Sequence, residues 1–346
     1  MIRSVFATLM ALGAWSSGLQ PAVADPIADF YKGKNINFIS SAPQGGGIAT
    51  YAHVFAPYFA AHIPGNPRII VQSMPGAGGL RAMQYFDTVA PKDGTTLGLV
   101  HSSVSFAPLY GIKGATFDPR KFNWIGSVDS APALCVAWHT TNIRSWQDLF
   151  EKPYLVGTSG AGSQMETLPA MLNKLFGTKI KVISGYKGGG DIFLAMERGE
   201  LSGRCGGGLV TSIRASRPDW FPQKKVFVPI QVTMKRHHDL PDVPAVGEFV
   251  KDEYTRRILE LILAPQDMDR PVLAPPGTPM ERVTALRTAF HKAMNDPAFI
   301  AEMKNRNLAI EELSGPQVAG ILERAFALPP EIIWDAKEAM NFANAK

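Results

Sequence analysis

Cysteine is scarce in this 346-residue chain: Cys135 and Cys205 are the only two, and their spacing matches no thiolate metal site. An oxidising compartment permits a bridge between them. Sequence separation alone does not show one, and two separately buried thiols are the plainer expectation. Histidine is sparse as well. His53, His62, His101, His139, His237, His238 and His291 form no His-x-x-x-His or glutamate-flanked pattern, so no metal site is expected. Catalytic signatures are missing too. Gly157-Thr158-Ser159-Gly160-Ala161 lacks the final glycine of a nucleophile elbow, and no carboxylate pair stands out for general acid–base work. No glycine-rich stretch is followed by the Lys-Ser or Lys-Thr of a P-loop, and none fits the dinucleotide fingerprint. An enzyme and a bound cofactor are therefore both disfavoured. Charge is neither clustered nor one-sided: 35 Lys and Arg stand against 30 Asp and Glu, a net +5. Scattered charge of this kind argues against nucleic-acid binding, while the mildly positive balance suits an anionic ligand.

The amino terminus does carry a signal. Met1-Ile2-Arg3-Ser4 is a short cationic start, Val5 to Trp15 is mainly apolar, and Ala22-Val23-Ala24 is a small-x-small sequence. The apolar run is shorter than the roughly 20 residues that span a bilayer, so residues 1–24 read as a cleaved signal peptide with Asp25 as the mature start. A soluble protein outside the cytoplasm is the expectation. No later stretch approaches transmembrane length without charge. A chain of this length with 46% hydrophobic residues can bury two cores.

Strands alternate with helices, the pattern of an open, mostly parallel α/β sheet. Ile36 to Ser40, Ile69 to Gln72 and Thr96 to Val100 read as strands, and Ile48 to His62 reads as a helix that Pro57 should kink or interrupt. The pattern then recurs. Strands are expected at Leu134 to Trp138, Tyr154 to Gly157, Lys181 to Ile183 and Val226 to Val232, with Pro229 favouring a sheet edge for the last. Trp146 to Phe150 reads as a short helix; Trp124, Trp138 and Trp220 read as core packing.

Glycine-rich loops recur between these strands and helices: Gln44-Gly45-Gly46-Gly47, Gly76-Ala77-Gly78-Gly79, Thr158-Ser159-Gly160-Ala161-Gly162-Ser163 and Gly185-Tyr186-Lys187-Gly188. Any one could be a tight turn. Repetition at equivalent strand ends points to a shared purpose. Glycine lets a ligand approach the main chain, and the following helix offers unpaired N–H groups and a positive dipole end. In open α/β sheets that edge is where ligands bind. His101, directly after a strand, is the histidine best placed for such a cleft.

The ordered series Pro43-Gln44-Gly45-Gly46-Gly47, Met74-Pro75-Gly76-Ala77-Gly78-Gly79, Pro91-Lys92-Asp93-Gly94-Thr95, Gly157 to Ser163, Gly185-Tyr186-Lys187-Gly188, Glu197-Arg198-Gly199-Glu200-Leu201, Leu240-Pro241-Asp242-Val243-Pro244 and Ala274-Pro275-Pro276-Gly277-Thr278-Pro279 resembles the periplasmic binding components of tripartite tricarboxylate transporters, the Bug or TctC-like family. The resemblance covers nearly the whole mature chain. It implies a two-lobed, type II periplasmic-binding-protein fold, with residues 25–128 and 238–346 in lobe 1 and 129–237 in lobe 2. It also implies a small organic anion, a carboxylate, as ligand, membrane permease subunits as partners, and a monomer. A ligand sensor presenting a carboxylate to a membrane regulatory receptor would share the same fold.

By position the resemblance nominates Gln44, Gly45, Gly46, Gly47, Gly76, Ala77, Gly78 and Gly79 as ligand contacts from lobe 1. From lobe 2 it nominates Thr158, Ser159, Gly160, Ser163, Lys187 and Gly188. One position departs from the family pattern. Many members carry an aspartate two residues after the triple glycine, where this chain has Ala49. Loss of that acid should disfavour amino-acid ligands relative to plain or aromatic carboxylic acids.

Overall fold

A computed structural model describes residues 25–44, 47–160, 163–186, 188–238 and 240–340. The expected leader, residues 1–24, lies outside the described residues. Two sheets organise the molecule. The first contains β1 (Asn35–Ser40), β2 (Arg68–Ser73), β3 (Thr96–Leu99) and β4 (Asn123–Ser127). The second contains β5 (Ala133–Trp138), β6 (Tyr154–Gly157), β7 (Ile180–Ile183), β8 (Gly203–Gly207) and β9 (Val226–Val232). The chain then returns to the first sheet with β10 (Pro271–Ala274) and β11 (Leu313–Ser314).

Strand order is β11-β4-β10-β3-β1-β2 in the first sheet and β7-β6-β8-β5-β9 in the second. β1 runs parallel to β2 and β3. β10 enters antiparallel between β3 and β4, which leaves β4 running the same way as β1 to β3. In the second sheet β6 is parallel to β7 and β8, while β5 is antiparallel to β8 and β9. Both sheets are thus more mixed than strand–helix alternation alone predicts, because the returning segments pair antiparallel. β3 and β5 are buried along their whole length, as apolar strands covered on both faces must be. Pro229 does sit on an edge strand, β9, and Trp124, Trp138 and Trp220 are buried. The short helix is shifted to Asp148–Glu151.

Pro57 does not interrupt its helix, which runs unbroken from Gly47 to His62. Pro57 and His53, whose carbonyl loses its i+4 partner, are both exposed, so water can serve that carbonyl. The opposite face is anchored by Phe55, whose ring lies 5.3 Å from Phe290 and 5.4 Å from Phe299.

The two sheets share an apolar cluster. The helix Pro330–Ala339 packs on the helix Glu253–Asp267 and also on Gln164–Phe176 beside the second sheet. Trp146 stacks on Phe249 at 5.1 Å. Within the second sheet, Cys135 of β5 lies opposite Cys205 of β8, and the two form a disulfide. Separately buried thiols were the sequence expectation. The antiparallel register, invisible across 70 residues of sequence, brings the pair together instead.

Where the chain crosses from β4 to β5, Asp129 begins a buried polar cluster. Arg270 Nη1 bonds Asp129 and lies 2.6 Å from Asp269, and its guanidinium sits 3.9 Å over the Tyr51 ring. Tyr51 Oη lies 3.2 Å from Asp129 and donates to the Ala309 carbonyl at 3.0 Å. Burial pushes the Asp129 carboxyl up to about 7; Arg270 opposes this rise and Asp269 adds to it.

Two predictions follow from these contacts. Replacing Cys135 and Cys205 by alanine should lower stability by about 2–4 kcal/mol, the range for freeing a long closed loop, as read by denaturant unfolding. An unchanged midpoint and slope would contradict this. For Asp129, the folded carboxyl keeps its proton to a higher pH than the unfolded one, whose ordinary value is 3.8. The folded state therefore binds more protons between those values, and this group's stabilisation is lost as pH rises towards about 7. The melting temperature of wild type relative to Asp129→Asn should accordingly fall from about pH 5 to about pH 8. A flat difference, or one rising with pH, would refute it.

Candidate functional site

Because β1, β2, β3 and β4 run in one direction, their carboxyl ends meet along one edge of the first sheet. Three following loops converge there on Ser41. Its N–H donates to the Leu99 carbonyl at 3.0 Å and its Oγ accepts from the His101 N–H at 3.0 Å. The Met74 N–H donates to the Ser40 carbonyl at 2.8 Å, tying the loop after β2 to the end of β1. Gly79 sits beside Ser41 and Val104: a Cβ there would lie 3.5 Å from Ser41 Cβ and 3.6 Å from Val104 Cβ, ordinary contact distances.

The loop Gly76-Ala77-Gly78-Gly79 has positive φ at every residue: 141°, 46°, 64° and 101°. Ala77 is there despite its side chain, an uncommon conformation. Gly76, Ala77 and Gly78 are exposed and Gly79 is buried, so the first three present main chain to solvent. Gln44 and Gly47 are exposed on the neighbouring loop; Gly45 and Gly46 lie outside the described residues. Ala49 is fully buried on the helix that follows, so the position where an aspartate is common contributes no surface here. His101 is exposed at this edge. Desolvation by the surrounding protein lowers its pKa, with Asp269 opposing and Arg270 adding to the effect. It can offer a hydrogen bond without a net charge at neutral pH.

The second sheet presents its own edge of strand ends. Thr158 is buried. Its Oγ1 accepts from the Gly160 N–H at 3.1 Å and lies 3.0 Å from Ser163 Oγ, which donates to the Gly160 carbonyl at 2.8 Å. These hydroxyls brace the loop itself. Ser159 is the exposed hydroxyl. Gly188 precedes the helix Gly189–Glu197, whose first turn has no side-chain cap, and Lys187 lies outside the described residues. Gln164 Oε1 accepts from the Gly207 N–H at 3.0 Å, linking two strand-end loops.

A cavity of about 200 Å³ opens beside the crossover from β4 to β5, between Asp129, Pro132, Gly208, Thr211, His237 and Glu311. None of the loop residues nominated from sequence lines it. Its walls come from the crossover, the start of the helix after β8, the stretch after β9 and the stretch before β11. Ser41, on which the three loops converge, was passed over in sequence as one serine of many. Among the described residues no cluster could hold a metal ion and no helix is long and apolar enough to cross a membrane.

A search of curated protein sequences finds no match. Solved structures are more informative. A TctC solute-binding protein from Polaromonas superposes with a TM-score of 0.67 at 19% identity, covering 88% of this chain and 99% of that one. An adipate-bound protein of Rhodopseudomonas palustris gives 0.64 at 18% identity over 89% and 97% of the two chains. A malate-bound protein from the same organism gives 0.61 at 18% over 87% and 99%. At such identities the likeness establishes the fold, a two-lobed α/β periplasmic-binding-protein architecture. The sequence model of the tripartite tricarboxylate transporter family receptor matches residues 60–326, well over half of the chain. The chain belongs to that receptor family.

Proposed function

We propose that this protein is an exported, periplasmic solute-binding receptor that captures a small organic anion, a carboxylate, and delivers it to the membrane permease subunits of a tripartite transporter. The observation that carries the reading is the convergence on Ser41 of three strand-end loops, one of them in positive φ from Gly76 to Gly79. Main-chain N–H groups so exposed favour an oxyanion over a neutral or cationic ligand. Malate and adipate, named with the two Rhodopseudomonas palustris structures, belong to the same chemical class. In this reading residues 25–128 with 238–346 make lobe 1, 129–237 make lobe 2, and residues 1–24 are the export signal. The receptor acts as a monomer. Gln44, the glycines at 45–47 and Gly76 to Gly79 hold one carboxylate, while Ser159, Gly188 and Lys187 approach from the other lobe. Thr158, Gly160 and Ser163 shape that second loop. Ligand bridging the lobes would shift the population towards a closed form by its differential affinity.

A thermal-shift screen of the protein from Asp25 onward tests this. Carboxylates should raise the melting temperature in a concentration-dependent way, with stabilisation near 2.7 kcal/mol at about 100-fold excess over Kd. A response confined to neutral sugars or cations would refute the anion reading. Gly78→Val should cost roughly 1–2 kcal/mol, because φ at this position is 64°, and should reduce the ligand-induced shift. With Ala49 in place of an acid, glutamate and aspartate should bind more weakly than simple diacids. Equal affinity would remove any role for that substitution.

A further inference from the structure

Away from the loops nominated for the ligand, a groove separates a helix of the first sheet from a helix of the second. On one side stands the helix Pro297–Asn305, which packs on Gly47–His62 and Met280–Met294, two helices that lie against the first sheet. On the other side stands Leu209–Ser216, which packs on β5 of the second sheet. The groove has a volume of about 310 Å³. Thr211 and Arg214 line it from the second helix, and Ile300, Lys304, Leu308 and Ile310 from the first helix and the stretch that follows. Thr211, Arg214 and Ile310 also line the cavity beside the β4–β5 crossover, so groove and cavity are continuous. None of the nominated loop residues lines either one.

The lining says what fits there. Ile300 is 46% exposed, and Leu308 and Ile310 beside it are half-buried, so an aliphatic surface stands open to water. The charged residues of the groove are Arg214 and Lys304, one from each wall and both exposed; among the described residues no carboxylate lines it. The acids of the adjoining cavity are engaged locally, Asp129 by Arg270 and Tyr51, and Glu311 by the Ser130 hydroxyl. Like charges on opposite walls repel, and a carboxylate laid between them replaces that repulsion by two attractions. Aliphatic surface flanked by cations is complementary to a chain that carries apolar side chains and an acid. A small molecule fits poorly, because small-molecule sites bury most of their ligand and these walls are open.

We propose that this groove is the receptor's docking surface for the permease, and that its occupant is an extended periplasmic segment of a permease subunit bearing apolar side chains and at least one carboxylate. This rests on the transporter reading and adds the surface that serves it. The walls belong to different sheets, so a segment held between them binds best at one relative setting of the two. A carboxylate ligand that biases that setting is thereby coupled to docking.

The test uses the protein from Asp25 onward and the permease subunits of its own transporter in lipid nanodiscs. Wild type should bind loaded nanodiscs, more weakly as salt rises. Arg214→Glu combined with Lys304→Glu should weaken that binding roughly tenfold or more, the worth of at least one charge-assisted contact. The thermal shifts produced by malate and adipate should stay those of wild type. A photo-crosslinking residue in place of Ile300, and another in place of Thr211, should label the same periplasmic segment of the permease. Should the double variant fail to fold, Ile300→Asp at its exposed position takes its place, with the same loss expected. Four results overturn the proposal and leave the transporter reading standing: undiminished binding by these variants, equal binding to empty nanodiscs, labelling of a second receptor chain, or permease labelling from Trp334 (58% exposed) and not from the groove. If wild type binds no permease while carboxylates still stabilise it, delivery to a permease is refuted and the docking surface falls with it.

Discussion

Main-chain N–H groups can face a ligand only where the backbone is free of its own ladder and no side chain stands in the way. In this protein that condition is met at the carboxyl edges of the parallel strands, where each chain must turn into a helix or a loop. The polarity of β1, β2 and β3 gathers three such turns at one edge, and Ser41 pins them by donating to Leu99 and accepting from His101. The glycines matter in that setting because Gly79 packs directly on Ser41 and Val104. There is room for a Cβ at that point, so what restricts the position to glycine is its φ of 101°.

The two sheets differ in what they present at their strand ends. At the edge of the first sheet the nominated groups are mainly main chain, and the pKa of His101 there is lowered by desolvation, with Asp269 opposing. The second lobe has an intact charge, Arg204, under a short layer of protein. Between them, Arg270 is already occupied by Asp129 and Asp269 and stacked on Tyr51. Arg270, paired with two carboxylates through Nη1 but with its Nε also unpartnered, and Arg204, with no carboxylate beside it, look alike in sequence. Only their surroundings tell the two apart.

Much of the architecture was legible beforehand, since strand–loop–helix alternation and glycine placement are local signals. Edge placement of the Pro229 strand and burial of the three tryptophans could be read the same way. What escaped was non-local or compensated. The Cys135–Cys205 bond depends on the register between β5 and β8. Pro57 was expected to kink or interrupt its helix, which runs on uninterrupted while aromatic packing holds one face and water can serve the other. β4 was not anticipated, and the antiparallel insertion of β10 beside it depends on a strand from far along the chain. At the site, glycine loops announced themselves. The hydroxyls of Thr158 and Ser163 did not reveal that they would turn inward and brace their own loop.

The final helix, Pro330–Ala339, packs both on Glu253–Asp267 and on Gln164–Phe176 beside the second sheet. Covalent crossovers alone would let one body swing and also twist about the other. A packed support away from those crossovers resists the twist, because sliding interlocked side chains past one another costs far more than rolling on them. The relative setting of the two sheets is therefore fixed by interlocked side chains as well as by the chain segments that connect them.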